Sequence, residues 1–144
     1  MLSQKGKQQT EEFYETLQDQ IDTISKKDYI VVVGDYNARV GIISIDGILG
    51  TNGEITTNSN GHKLKEFVSV NELKITNTFF RHKEIRKMTW SARGCRSIID
   101  YILTNKKLSP LINDTKGFRG YDVTTDHYLL ISKIRLPKKM AYIY

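Results

Sequence analysis

A mixed α/β (α+β) domain is the fold class the sequence predicts, and three observations lead there. A β-branched run ends at glycine and acid in Tyr29-Ile-Val-Val-Val-Gly-Asp35. Two stretches, 10–25 and 61–71, carry apolar residues at helical spacing, and several short alternating runs follow them. With 144 residues and 39% hydrophobic content, the chain has material for one domain with a real core.

The first helix is expected over Thr10 to Ser25, where Phe13, Leu17, Ile21 and Ile24 form one stripe. Glu11 and Glu12 open it and Lys26 and Lys27 close it, each sign suiting the helix dipole. The run Tyr29 to Val33 then reads as a central strand covered on both faces. If the chain stays extended past Gly34, Asp35 and Asn37 point to the same side, because strand side chains repeat every two residues. A carboxylate and an amide would converge at the strand's end.

From residue 38 to Ser59, glycines at 41, 47, 50 and 53 among Asn and Thr predict a long loop, with a short strand at Ile42 to Ile45. Asn60 or Ser59 should cap a second helix to Asn71, burying Leu64, Phe67 and Val68. Strands are expected at Lys74 to Phe79, Met88 to Ser91 and Ser97 to Leu103, the last two joined by a hairpin loop. Asp100 sits among apolar residues in the third of these, a costly place for an acid without partners. Pro110 marks a loop, and the stretch after Asp126-His127 alternates well enough for a closing strand.

Charge and cysteine content narrow the function classes. Lys and Arg total 22 against 16 Asp and Glu, a net charge of +6 with a pI of about 9.4, so the surface favours polyanions. Cys95 is the single cysteine, which excludes an intrachain disulfide; nothing pairs it with a base, so a small loop residue is its plain reading. No run approaches the length of a membrane span, and the first residues lack the apolar core of a signal peptide, so an intracellular protein is expected.

Asp35 with Asn37, Asp100, and Asp126 with His127 stand at comparable places relative to three strands. In one sheet they would gather at one edge, a set suited to phosphodiester hydrolysis. A carboxylate deprotonates water, a divalent ion held by oxygen ligands polarises the phosphate, and a protonated imidazole stabilises developing negative charge. Each piece alone has a plainer reading: Gly-Asp-x-Asn is a common turn, Asp-His occurs by chance, and a buried Asp is often a structural acceptor.

Together, Gly34-Asp35-Tyr36-Asn37-Ala38-Arg39-Val40-Gly41, Asn60-Gly61-His62-Lys63-Leu64, Asn77-Thr78-Phe79-Phe80, Thr89-Trp90, Ile99-Asp100-Tyr101-Ile102 and Asp122-Val123-Thr124-Thr125-Asp126-His127 resemble the C-terminal half of the endonuclease/exonuclease/phosphatase family. Within it they resemble most the apurinic-endonuclease-like domains of non-LTR (LINE-type, RTE-like) retrotransposons and craniofacial development protein 2-like proteins. The similarity runs from about Phe13 to Leu136.

The resemblance implies that Asp35 is the general base and that Asn37 holds the scissile phosphate. It implies that Asp100 orients His127 on the phosphate and that Asp126 belongs to a Mg²⁺ (or Mn²⁺) site. Thr89, Trp90 and Thr125 would line the substrate, although Trp90 reads equally well as a core aromatic. DNA is the implied partner and a nuclear location follows from the same source. The family fold is a four-layer α/β/β/α sandwich, of which residues 1–144 would form a single truncated domain, structured over about 10–136, chiefly one mixed sheet with covering helices. In the family a metal-binding Glu precedes these motifs. An incomplete metal site, impaired hydrolysis and self-association through an uncovered sheet face are therefore expected. The alternative is a catalytically silent, basic nucleic-acid-binding remnant.

Overall fold

The computed structural model describes residues 4–120 and 124–137. The first helix, α1 (Gln4–Asp22), begins earlier than its stripe suggested. None of its residues is fully buried, but Tyr14, Leu17 and Ile21 pack on the core. It delivers the chain into β1 (Val31–Asp35).

The strand β1 is not covered on both faces. It pairs antiparallel with β5 (Asp100–Thr104), which pairs on its other side with β2 (Lys74–Ile75), so β1 is an edge of this sheet among the described residues. Val32 turns into the core, whereas Val31 and Val33 are 48% and 64% exposed. A β-branched run thus marked a strand but not its depth, since the sequence is apolar on both faces and only one is packed.

The stretch 36–58 makes no strand at Ile42 to Ile45. It is instead held by isolated bridges between Val40 and Thr57 and between Ile45 and Leu49, and it sinks Val40, Ile48 and Leu49 into the core. It ends at Asn58, one or two residues before the expected cap, which opens α2 (Ser59–Asn71) by accepting the Gly61 amide at 2.7 Å. A Cβ on Gly61 would meet the Arg39 carbonyl at 1.8 Å, so the helix start and the loop approach more closely than a side chain allows.

The expected strand at Lys74 to Phe79 stops after two residues and becomes a 3₁₀ turn, Thr76–Phe79. The Asn77 amide then substitutes for the missing ladder. It donates to the Asp100 carbonyl at 3.0 Å and accepts from the Ile102 amide at 3.1 Å. A side chain thus satisfies the β5 backbone where a strand would otherwise have to.

A short helix, α3 (Glu84–Lys87), precedes the hairpin of β3 (Trp90–Ala92) and β4 (Cys95–Ser97), turned through Arg93 and Gly94 at positive φ. The last pair joins β6 (Ile112–Phe118) to β7 (Leu129–Ile134), antiparallel with a register shift near Asn113. β7 is the expected closing strand. β6 has no counterpart in the expectations, because its most buried positions after Ile112 are Thr115 and Gly117. A Cβ on Gly117 would lie 2.6 Å from the Met88 carbonyl, so this strand is selected for closeness rather than hydrophobicity.

Tyr101 and Leu103 of β5 face the core with Leu64, Val68, Leu73 and Ile75, on the side covered by α1 and α2. Asp35 and Asp100 are register partners and therefore point from the opposite face. The tertiary order places the acids away from the main apolar core.

Candidate functional site

Register begins the site. Pairing β1 with β5 sets Asp35 opposite Asp100, two carboxylates from sequence positions 65 apart on one face of the sheet. Like charges so placed repel, and a cation or proton between them relieves the cost. His127 supplies it: its Nδ1 lies 3.0 Å from Asp100 Oδ2, and its Nε2 lies 3.7 Å from Asp35 Oδ2 and 3.9 Å from Asp126 Oδ1. One imidazole is thus ringed by three acids from three segments.

Backbone bonds carry His127 there. Trp90 and His127 form an isolated antiparallel bridge, the Ser91 amide donates to the Asp126 carbonyl at 2.9 Å, and the Tyr128 amide donates to the Thr89 carbonyl at 2.8 Å. The Trp90 indole N–H donates to Asp126 Oδ2 at 3.0 Å, fixing that carboxylate. The Thr125 hydroxyl accepts the His127 amide at 3.2 Å and stands exposed beside it. Trp90 is therefore a site-bordering residue bound to an acid, rather than a core aromatic.

Thr89 is placed differently from the expectation. It is fully buried, and its hydroxyl accepts the amides of Ile99 at 3.0 Å and Asp100 at 3.1 Å. It touches the start of β5 and holds the backbone at Asp100.

Asp35 and Asn37 do not simply point together along an extended chain. Asn37 takes a left-handed φ of 46°, and its amide donates to Asp35 Oδ1 at 2.9 Å, closing a turn over the carboxylate. The Asn37 carbonyl accepts from Asn58 at 3.1 Å and Asn60 at 3.2 Å, which holds the turn against the start of α2. The exposed Asn37 side-chain amide has no hydrogen bond among the described residues, so it is available to a ligand. Asn60 Oδ1 is buried beside this turn without a partner among the described residues.

Of the positioning residues, Asn58 had no place in the sequence reading, and Asn77 appeared there only within a motif, with no role. Asn58 joins three jobs: cap of α2, acceptor for the Arg39 amide at 2.9 Å and donor to Asn37. Its only sequence signal was an Asn ahead of a helix, which Ser59 and Asn60 shared.

Electrostatics follow from this arrangement. Partial burial disfavours charge on His127, but the hydrogen bond and charge of Asp100, aided by Asp35 and Asp126, outweigh it and raise its pKa above the ordinary value. The imidazole therefore holds its proton to higher pH than a free histidine. Asp35, Asp100 and His127 also offer ligand atoms all within 4.8 Å of one another, a spacing that fits a small divalent cation. The carboxylates are the hard-oxygen part of that set.

Comparisons with known proteins bear on the family and the fold. The profile described as endonuclease–reverse transcriptase matches residues 3–131. Craniofacial development protein 2 of Bos taurus is 38% identical over 130 residues, spanning 89% of this chain and 22% of that protein. The protein of the same name from Tragulus javanicus is 37% identical, spanning 89% and 23%. This chain thus spans less than a quarter of the length of these curated relatives.

Among solved structures, the endonuclease domain of TRAS1, a telomere-specific non-LTR retrotransposon, superposes with a TM-score of 0.61 at 18% identity, over 89% of this chain and 52% of that one. At that identity the superposition speaks for the fold, an α/β sandwich of the endonuclease type. The chain belongs to the endonuclease–reverse transcriptase family.

Proposed function

We propose that this site hydrolyses phosphodiester bonds in DNA with the help of a divalent cation, Mg²⁺ or Mn²⁺, as an endonuclease domain of retrotransposon descent. The observation that carries the reading is His127 ringed by Asp35, Asp100 and Asp126 from separate segments. A structural His–Asp pair needs one acid; two further carboxylates at an open face add repulsion that a purely structural site has no use for.

Protonated His127, oriented through Nδ1 by Asp100, presents Nε2 toward the open side, where it donates to a phosphate oxygen as negative charge develops. Asp35 is the acceptor for a water proton, held in place by the Asn37 amide. The free Asn37 carboxamide binds the scissile phosphate, while Thr125 and Trp90 border it. Thr89 holds Asp100 and makes no substrate contact. Asp126 is the carboxylate that would hold the cation, which when bound would polarise the phosphate and lower the pKa of a ligated water, while Asp35 and Asp100 keep their roles as base and as partner of His127. The net charge of +6 supports sequence-independent phosphate contacts that weaken with salt.

Plasmid nicking in Mg²⁺ tests the reading. Nicking that chelation stops, and that Asp35→Asn and His127→Ala each reduce by roughly 10²–10⁴-fold, is the expected result. Nicking that survives both substitutions would overturn the assignment. Salt-sensitive retention of duplex without any nicking would replace hydrolysis by the binding-only alternative.

A further inference from the structure

On the helical side of the sheet, α1 and α2 leave an open groove of about 410 Å³ whose floor is Tyr14, Phe67 and Val70. The helices are joined on either side of it. Gln18 and Asn71 exchange reciprocal amide bonds of 2.8 and 2.7 Å, and Lys63 reaches Glu11 at 3.2 Å. The groove is therefore braced, not a fraying seam.

Its rim carries Glu11, Glu15, Asp19 and Glu66 against the single Lys63, which Glu11 already engages. The groove is thus strongly acidic in a chain whose net charge is +6. Val70 is 73% exposed, an aliphatic side chain held in water between acidic neighbours. Charge of this sign turns away the phosphates that the rest of the surface attracts. The groove belongs to a different ligand class from the site at Asp35 and His127.

We infer that the α1–α2 groove docks a basic segment of a partner protein: a short, helical stretch with one or two aliphatic anchors over Val70 and Phe67 and Lys or Arg side chains paired with Glu15, Asp19 and Glu66. An amphipathic helix laid on two helices reads such a floor through anchors one turn apart, and the flanking charges set orientation and encounter rate. A second copy of this chain is the competing occupant, because α3 presents Ile85, 42% exposed, beside Lys83, Arg86 and Lys87. That helix is a single turn of four residues, too short to lay two anchors one turn apart over Val70 and Phe67.

The test uses the 144-residue chain. The probe is a fluorescent helical peptide with leucines one turn apart and lysines on the flanks, compared by anisotropy with the same peptide carrying glutamates for lysines. The lysine peptide should bind at least about tenfold more tightly, and Glu15→Lys with Glu66→Lys should weaken it by a similar factor. Both substituted residues are exposed, so thermal unfolding should not change. Equal binding of the two peptides, no binding of the lysine peptide, or indifference to the double charge reversal would each overturn the inference. Sedimentation showing a wild-type dimer that the double variant disperses would overturn it too, assigning the groove to a second copy. These readouts are independent of nicking.

Discussion

Two hydrogen-bonded histidine–aspartate pairs occur among the described residues, and further carboxylates surround only one of them. His82 Nε2 and Asp114 Oδ1 lie 2.5 Å apart, closer than the 3.0 Å between His127 and Asp100. Yet Asp114 is also 3.9 Å from Lys116, so its charge is shared with a cation, whereas His127 faces two further carboxylates. The first pair ties the stretch before α3 to β6 and is electrostatically closed. The second has negative charge in excess and an imidazole nitrogen, Nε2, pointed at it. Uncompensated charge gathered from separate elements separates the two pairs more sharply than proximity does.

The widest separation between the two pairs is expected in rate. His127→Ala should lower nicking by roughly 10²–10⁴-fold, while His82→Ala leaves the rate constant unchanged. The His82 variant should instead lose about 1–3 kcal/mol of stability in a denaturant titration, as Asp114 loses a half-buried partner. Equal loss of nicking in both would remove the distinction between a site and a staple.

A smaller effect is expected at the residue that holds the site pair. Thr89→Val keeps the shape but leaves the Ile99 and Asp100 amides without their acceptor, costing about 1–3 kcal/mol for a buried group. Nicking should fall because Asp100 shifts under His127, and the drop should be in kcat rather than KM. Thr89→Ser, which restores the hydroxyl, should recover most of it. A KM effect would return Thr89 to the substrate side.

The smallest effect concerns titration. The folded pKa of His127 is raised, so its charged interactions contribute stability that is fully present below the unfolded value near 6.5 and is lost as pH rises through the folded value. Asp100→Asn removes both the charged hydrogen-bond partner and the largest attraction. An NMR titration should then show the His127 pKa dropping, with the opposing effect of burial left in place. A His127 pKa indifferent to Asp100 would mean that the pair is not what keeps the proton.

How much of this was legible beforehand depends on what each residue signals locally. Asp100 stood out because an acid among Ile, Tyr and Leu is costly, and Asp126-His127 because it preceded an alternating run. The 3₁₀ turn at Thr76–Phe79 was hidden, since Asn77 completes the β5 ladder from a distance of 23 and 25 residues. β6 was hidden because Thr115 and Gly117 occupy its buried positions, and hydrophobic periodicity cannot report a strand chosen for close approach. Trp90 was ambiguous until Asp126 was found bonded to its indole nitrogen.

The sequence by itself determined that strands pass through 31–33 and 100–103, that Leu64, Phe67 and Val68 are the buried stripe of α2, and the identity of the acids, because these rest on local periodicity and on the cost of a lone charge in an apolar run; of the stripe expected for the first helix it placed Leu17 and Ile21 but not the exposed Phe13 and Ile24. Only the tertiary structure decided that β1 is a half-exposed edge of its sheet among the described residues, that Asn58 and Asn60 hold the Asn37 turn, and that the buried Thr89 accepts the backbone amides at the start of β5. It also decided which of two histidines meets surplus negative charge. Those outcomes depend on register and on which backbone groups remain unpaired after packing, quantities that no single segment carries.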